Sequence, residues 1–242
     1  MRLNGVALAG NAFPGFIPTG FALVGVADVD GDGDDDIVMV KTAAPNSGLL
    51  RVIRMNTDFT VQGNAFPGFV PAGFSIIGLA DMNDSGRADV ILVKTGAPNA
   101  GLYRVLLIGA DAGSVTGSAF PGLVPAGFEV LGVGCFNDDS VGDVVVVKSA
   151  APNQGLVRIQ TTTSGAASFS GNTFPFFIPA GFEIDAIGNF DGTDGDDFIA
   201  RKTVAPNVGS NRVFLLTTDA SGVSSTGFPN IVSSEFSSIS AP

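Results

Sequence analysis

The sequence contains no histidine, no tryptophan and a single cysteine, Cys135. Without histidine, no Ser-His-Asp or Cys-His relay can form, and one cysteine cannot build a zinc site of the usual His/Cys kind. An internal disulfide is equally excluded, so cysteine usage says nothing about compartment. Basic residues are scarce: 12 Lys and Arg stand against 23 Asp and Glu, for a formal net charge of −11. That balance argues against nucleic acid and anionic membrane surfaces as partners. No apolar run approaches the roughly 20 residues needed to cross a bilayer, so membrane insertion is not expected. Residues 1–11 hold no apolar stretch of signal-peptide length. No G-x-x-x-x-G-K-[ST] phosphate loop is found either.

What the chain does have is repetition. The pattern F-P-x-[FLI]-[IV]-P-x-G-F begins at Phe13, Phe66, Phe120 and Phe174, and a decayed fifth copy, FPNIVSSEF, begins at Phe228. The spacings are 53, 54, 54 and 54 residues. K-[TS]-x-A-P-N-x-G keeps step at Lys41, Lys94, Lys148 and Lys202, and an arginine follows each time, at Arg51, Arg104, Arg158 and Arg212. Three landmarks in register divide the chain into one repeat domain, with repeats at about 10–62, 63–116, 117–170 and 171–225 and a partial fifth at 226–242.

Each repeat reads as four short strands. In the second they are Phe74 to Ala80, Asp89 to Thr95, Leu102 to Gly109 and a weaker stretch near Ser114 to Gly117. The runs are short, β-branched and bounded by Gly, Asn, Asp and Pro, and helical periodicity is missing. Four-stranded units at this period predict an all-β chain of β-propeller type. Proline cannot donate to a ladder, so FPGFVPAGF is expected to cross between blades, with Phe66, Phe69 and Phe74 plugging the gap. An extra fourth-strand segment (Asn4 to Gly10) and an extra first-strand segment (Phe236 to Ala241) flank the repeats. They leave open a ring closed on four blades, a defective five-bladed ring, or pairing with a second copy through edge strands.

Of the 20 aspartates, 16 fall in four clusters, each after the first strand of a repeat. The first reads Asp28, Asp30, Asp32, Gly33, Asp34, Asp35, Asp36. Alternate residues of a tight loop can aim carboxylates at one centre, and a hard dication takes six to eight oxygens. The carbonyl of Asp34 adds a ligand and Asp36 closes the shell. An EF-hand is rejected: Met39 stands where that loop needs Glu, and the flanks read as strands. The second turn offers Asp81, Asn83, Ser85 and Asp89, and the fourth Asn189, Asp191, Thr193 and Asp197. In the third, Asn137, Asp139 and Asp143 follow Cys135, a soft and poor calcium ligand. Structural Ca2+ is therefore expected, tightest in the first turn, then the second, the fourth and the third.

The segments GVADVDGDGDDDIVMV and GLADMNDSGRADVILV, with their two later copies, resemble the FG-GAP and VCBS repeats of calcium-binding β-propellers. The resemblance covers nearly the whole chain. It implies a calcium turn between the first two strands of each blade, an extracellular or cell-surface setting, and a non-catalytic role in adhesion, lectin-like sugar binding or protein binding. The family's rings usually have more blades than the four complete repeats here. The recurring pairs Lys41/Arg51, Lys94/Arg104, Lys148/Arg158 and Lys202/Arg212 read either as solvated groups at the blade rim or in ion pairs with a neighbouring blade, or as a repeated pocket for a sugar or acidic ligand, with Asn99 as a hydrogen-bonding partner in the second repeat. A carbohydrate or protein surface is the first expected partner. Self-assembly into a filament, sheath or surface layer is the second.

Overall fold

A computed structural model describes residues 15–228 except Phe16 and Asp194, together with the backbone of two short strands at 2–4 and 7–10. The first motif start, Phe13, and the segment Phe236 to Ala241 lie outside the described residues. Valine, isoleucine and phenylalanine runs favour pleated, half-buried strands, and Gly, Asn and Asp clusters end them. The described residues accordingly contain strands and turns and no helix.

Strands β1 (Arg2–Asn4) and β2 (Ala7–Gly10) pair with each other. The segment read as a lone extra fourth strand is thus half of a small hairpin, because Leu3 finds its ladder partner in Leu8. Four antiparallel sheets of four strands follow. The first blade comprises β3 (Phe21–Ala27), β4 (Asp36–Lys41), β5 (Leu50–Met55) and β6 (Val61–Ala65). The second comprises β7 (Phe74–Ala80), β8 (Asp89–Lys94), β9 (Tyr103–Ile108) and β10 (Val115–Ala119). The third comprises β11 (Phe128–Gly134), β12 (Asp143–Lys148), β13 (Val157–Thr162) and β14 (Phe169–Thr173). The fourth comprises β15 (Phe182–Gly188), β16 (Asp197–Lys202), β17 (Asn211–Leu216) and β18 (Val223–Gly227). This is a four-blade β-propeller. The sequence repeat cuts through each fourth strand, so the blade as a sheet runs over 21–65, 74–119, 128–173 and 182–227.

Successive blades share cores. Val38, Leu50 and Val52 of the first pack with Leu79, Val90 and Leu92 of the second. Ile91, Tyr103 and Val105 pack with Val133, Val144 and Val146 of the third, and Phe136, Val145 and Ile159 pack with Phe198, Ala200 and Phe214 of the fourth. Each middle strand therefore buries both faces, as its near-continuous apolar run requires. Every first strand carries a bulge, after Leu23, Ile76, Val130 and Ile184. The glycine following it lets the next blade approach. A Cβ on Gly78 would lie 2.4 Å from Val133, and one on Gly132 would lie 2.9 Å from Ile187. The fourth blade carries Ala186 at this position.

The first and fourth blades share no such core among the described residues. Leu23 and Val26 are 47% and 51% exposed, while Leu79 and Val133, at the repeat position of Val26, are 8% and 4% exposed.

Candidate metal turns and the connector face

The two ends of each blade carry different chemistry. At one end, the turn between the first and second strands holds the aspartate cluster. At the other lie the A-P-N turn and the connector from the next repeat.

In each aspartate turn the last carboxylate is a buried anchor. Asp36, Asp89, Asp143 and Asp197 are almost wholly inaccessible. One oxygen accepts from the backbone N–H seven residues earlier, in Val29, Met82, Phe136 and Phe190. The other accepts from the N–H nineteen residues later, in Met55, Ile108, Thr162 and Leu216, at 2.8–2.9 Å. The anchor thereby ties the turn to the end of the third strand. Burial raises these carboxyls, to about 6 for Asp36 and about 7 for Asp89 and Asp143, against the opposing pull of the N–H donors. Asp197 moves the same way for the same reason.

Ahead of the anchor, each turn folds on its own side chains. Asp28 accepts from the N–H groups of Gly31 and Gly33, and Asp81 accepts from Asn83, Ser85 and Gly86. In the fourth turn, Asn189 Oδ1 accepts from Gly192 N–H, and its amide donates to the Thr193 carbonyl. Two left-handed positions shape the loop: Gly31 and Gly33 in the first, Asp84 and Gly86 in the second, Asp138 and Ser140 in the third. Ser140 keeps the shape at φ 65°, where glycine stands in the first two turns.

The first turn fits a hard cation best. Ligand atoms of Asp28, Asp30 and Asp36 lie within 4.8 Å of one another. Arg54, 3.8 Å from Asp30, offsets part of their charge. Desolvation and the charges of Asp32 and Asp28 raise Asp30. Asp32 accepts from the Gln62 amide and Asp34 from the Thr57 hydroxyl. Convergent like charges of this kind suit a dication. In the second turn, Asn83 Oδ1 and Ser85 Oγ are buried without a hydrogen-bond partner, beside Asp81 and Asp89. In the third, Asn137 donates to Asp139, Asp139 accepts from Val141 N–H, and Asn137 Oδ1 has no partner. In the fourth, Asp191 accepts from both Thr193 N–H and its hydroxyl. Neighbouring turns are also clasped across blades, a link sequence spacing does not reveal. Ala88, Gly142 and Asp196 donate their N–H to the carbonyls of Asp28, Asp81 and Cys135 at 2.6–2.7 Å. Asp196 also accepts from Cys135 N–H at 2.8 Å.

At the opposite end, the repeated arginines are held in place. Arg51 lies 5.9 and 6.0 Å from the rings of Phe21 and Phe66, and donates to Asn64. Arg104 lies between Phe74 and Phe120 and donates to Ser118. Arg158 lies between Phe128 and Phe174 and donates to Asn172, and Arg212 lies near Phe214 and Phe228. Lys148 approaches Phe128 at 5.0 Å. Lys41, Lys94, Lys148 and Lys202 close the second strands at this same end. No ion pair links any of the four Lys/Arg sets among the described residues. Asn46, Asn99, Asn153 and Asn207 follow the A-P bond in left-handed backbone, and their carbonyls accept the turn hydrogen bonds.

The connector phenylalanines do not plug the blade gap as expected. Phe66, Phe120 and Phe174 are 49–50% exposed, and Phe69, Leu123 and Phe177 are 50–53% exposed. The connector runs along the start of the third strand. Leu50, Tyr103 and Val157 donate N–H to Gly68, Gly122 and Phe176, and Val70, Val124 and Ile178 donate back to Gly48, Gly101 and Gly155. This pairing turns Val70, Val124 and Ile178 into the cores and leaves their neighbours facing out. Phe74 alone of the three named rings packs on an interblade core. A cleft of about 710 Å3 opens between the first two blades at this end, walled by Leu23, Gly48, Val70 and Phe74.

No protein-family model matches this chain, and no curated protein does. Among solved structures, the Dos1 propeller is similar, with TM-score 0.46 and 14% identity over 85% of this chain. The chain spans 47% of the length of that protein.

Proposed function

We propose that the chain is a non-catalytic, calcium-stabilised propeller of the FG-GAP/VCBS kind that binds a carbohydrate or protein surface outside the cell. The observation that carries the reading is the row of half-exposed side chains on successive connectors, Phe66 and Phe69, Phe120 and Leu123, Phe174 and Phe177. Repeated exposed apolar groups on a rigid scaffold suit an extended partner. The clamped arginines hold the Phe66, Phe120 and Phe174 rings in place, which lowers the entropy lost on binding. Calcium belongs to the opposite end and stiffens the blades there. The aspartates of the four turns are engaged by backbone N–H groups or clustered for a cation, which supports a non-catalytic role.

The test is binding to glycan and protein arrays in calcium, comparing the native chain with a Phe66→Ser, Phe120→Ser, Phe174→Ser variant. The reading expects affinity for bound ligands to fall at least tenfold in a variant that still folds cooperatively, its melting lowered by a few degrees as the arginine contacts of the three half-exposed rings are lost. Equal binding by both proteins refutes it. A second reading, a self-assembling structural subunit, draws on the exposed Leu23 and Val26 face of the first blade. Concentration-dependent light scattering that Leu23→Lys abolishes favours that reading instead.

A further inference from the structure

The outer face of the fourth blade is unlike the equivalent face of the other three. Val24, Ile77 and Leu131 of the first strands pack into cores, and the fourth blade has Asp185 there. Val40 and Val93 become Arg201, and Leu50, Tyr103 and Val157 become Asn211. Arg201 pairs with Asp185 at 3.3 Å. The second oxygen of Asp185 and the side-chain oxygen of Asn211 are both buried and have no hydrogen-bond partner. Such groups need a polar neighbour, because an unmet buried acceptor is costly.

The sequence supplies one. Residues 228–242 repeat the connector and first strand: Val232 falls at the position of Val70, Val124 and Ile178, and Phe236 at that of Phe74, Phe128 and Phe182. The positions that reach the preceding blade elsewhere, Ile76, Val130 and Ile184, are matched here by Ser238. Polar residues thus replace apolar ones on both sides of one interface only. The last described residue, Phe228, also sits as its repeat equivalents do. Phe228 lies 5.5 Å from Arg212, as Phe174 lies 5.7 Å from Arg158. The backbone at Gly209 and Asn211 holds the places from which Gly155 and Val157 bond their connector.

We infer that residues 229–242 dock on the outer face of the fourth blade, with residues 230 and 232 bonding along Gly209–Asn211 and Ser238 facing Asp185 and Asn211. The connection is independent of what the propeller binds. It withdraws this end of the propeller from strand addition by a second copy, leaving the apolar first-blade face as the adhesive one.

Hydrogen exchange read by mass spectrometry tests this on three proteins: the full chain, a chain ending at Phe228, and full-length Val232→Asp. Truncation and Val232→Asp are each expected to speed exchange of the Asn211 amide and of 183–188 by about tenfold or more, as local protection is lost. Exchange over 21–27 stays unchanged, and the effect does not depend on protein concentration. Faster exchange at 21–27 instead would put the segment on the first blade and overturn the inference. Protection at Asn211 that fades on dilution would assign the contact to a second copy and overturn it too, as would no change at Asn211.

Discussion

The two ends of the propeller are both repeated four times, yet they have drifted to different degrees. At the connector end, the A-P-N turn, the clamped arginine and the flanking phenylalanines recur in all four copies. At the aspartate end, only the buried anchor recurs, as Asp36, Asp89, Asp143 and Asp197. The residues ahead of it change from Asp28, Asp30 and Asp32 to Cys135, Asn137 and Asp139. What recurs is what the blade needs in order to close: a carboxylate binding two backbone N–H groups and a connector bonded to the third strand. What varies is what a cation would need. The shape of the turn is thus separable from its capacity for a cation, and the later turns keep that shape with fewer carboxylates.

The sharpest way to break this comparison is Asp143→Ala. It strands the Phe136 and Thr162 amides in a buried site, so urea unfolding should show a loss of about 2–5 kcal/mol, the same with calcium or EDTA. Asp30→Asn should leave stability in EDTA within about 0.5 kcal/mol of the native value, because Asp30 anchors no third-strand amide. At the other end, Arg158→Ala removes contacts to Phe128 and Phe174 and a bond to Asn172, for a loss of about 1–2 kcal/mol. Ser140→Gly should raise thermal stability, by about 0.5–1 kcal/mol, since glycine adopts φ 65° without a Cβ penalty. A further lever is pH, because burial outweighs the two N–H donors at each anchor. The anchors' folded pKa values lie above the ordinary 3.8, reaching about 6–7. The folded state therefore holds protons the unfolded chain has released, and in EDTA stability should decline as pH rises from about 4 to about 7. A flat or rising profile over that window in chemical denaturation would contradict the assignment.

Most of the blade was legible in the sequence. β7 spans the residues read as the first strand, and β8 and β9 fall within one residue of theirs at each end. Alternating and continuous apolar runs between Gly, Asn and Asp turns carry that information locally. The anchor's role was not legible, because its second partner lies nineteen residues downstream and is a backbone amide that any residue supplies. Nor was the fate of the connector rings. Phe66 and Phe74 are the same residue eight positions apart, and only the bonds of Gly68 and Val70 to the third strand decide which one faces solvent. The pairing of β1 with β2 likewise depends on partners outside the repeat pattern.

Calorimetric calcium titration of the native chain, Asp28→Asn and Asp143→Ser tests the central account most directly. The native chain should bind at least one ion, gaining about 2.7 kcal/mol of stability at a hundredfold excess over Kd. Asp28→Asn should abolish the tightest site while the EDTA-treated protein keeps its fold, and Asp143→Ser should weaken the fold while that site persists. Binding heat absent from the native chain, or a tight site that survives Asp28→Asn, would contradict it.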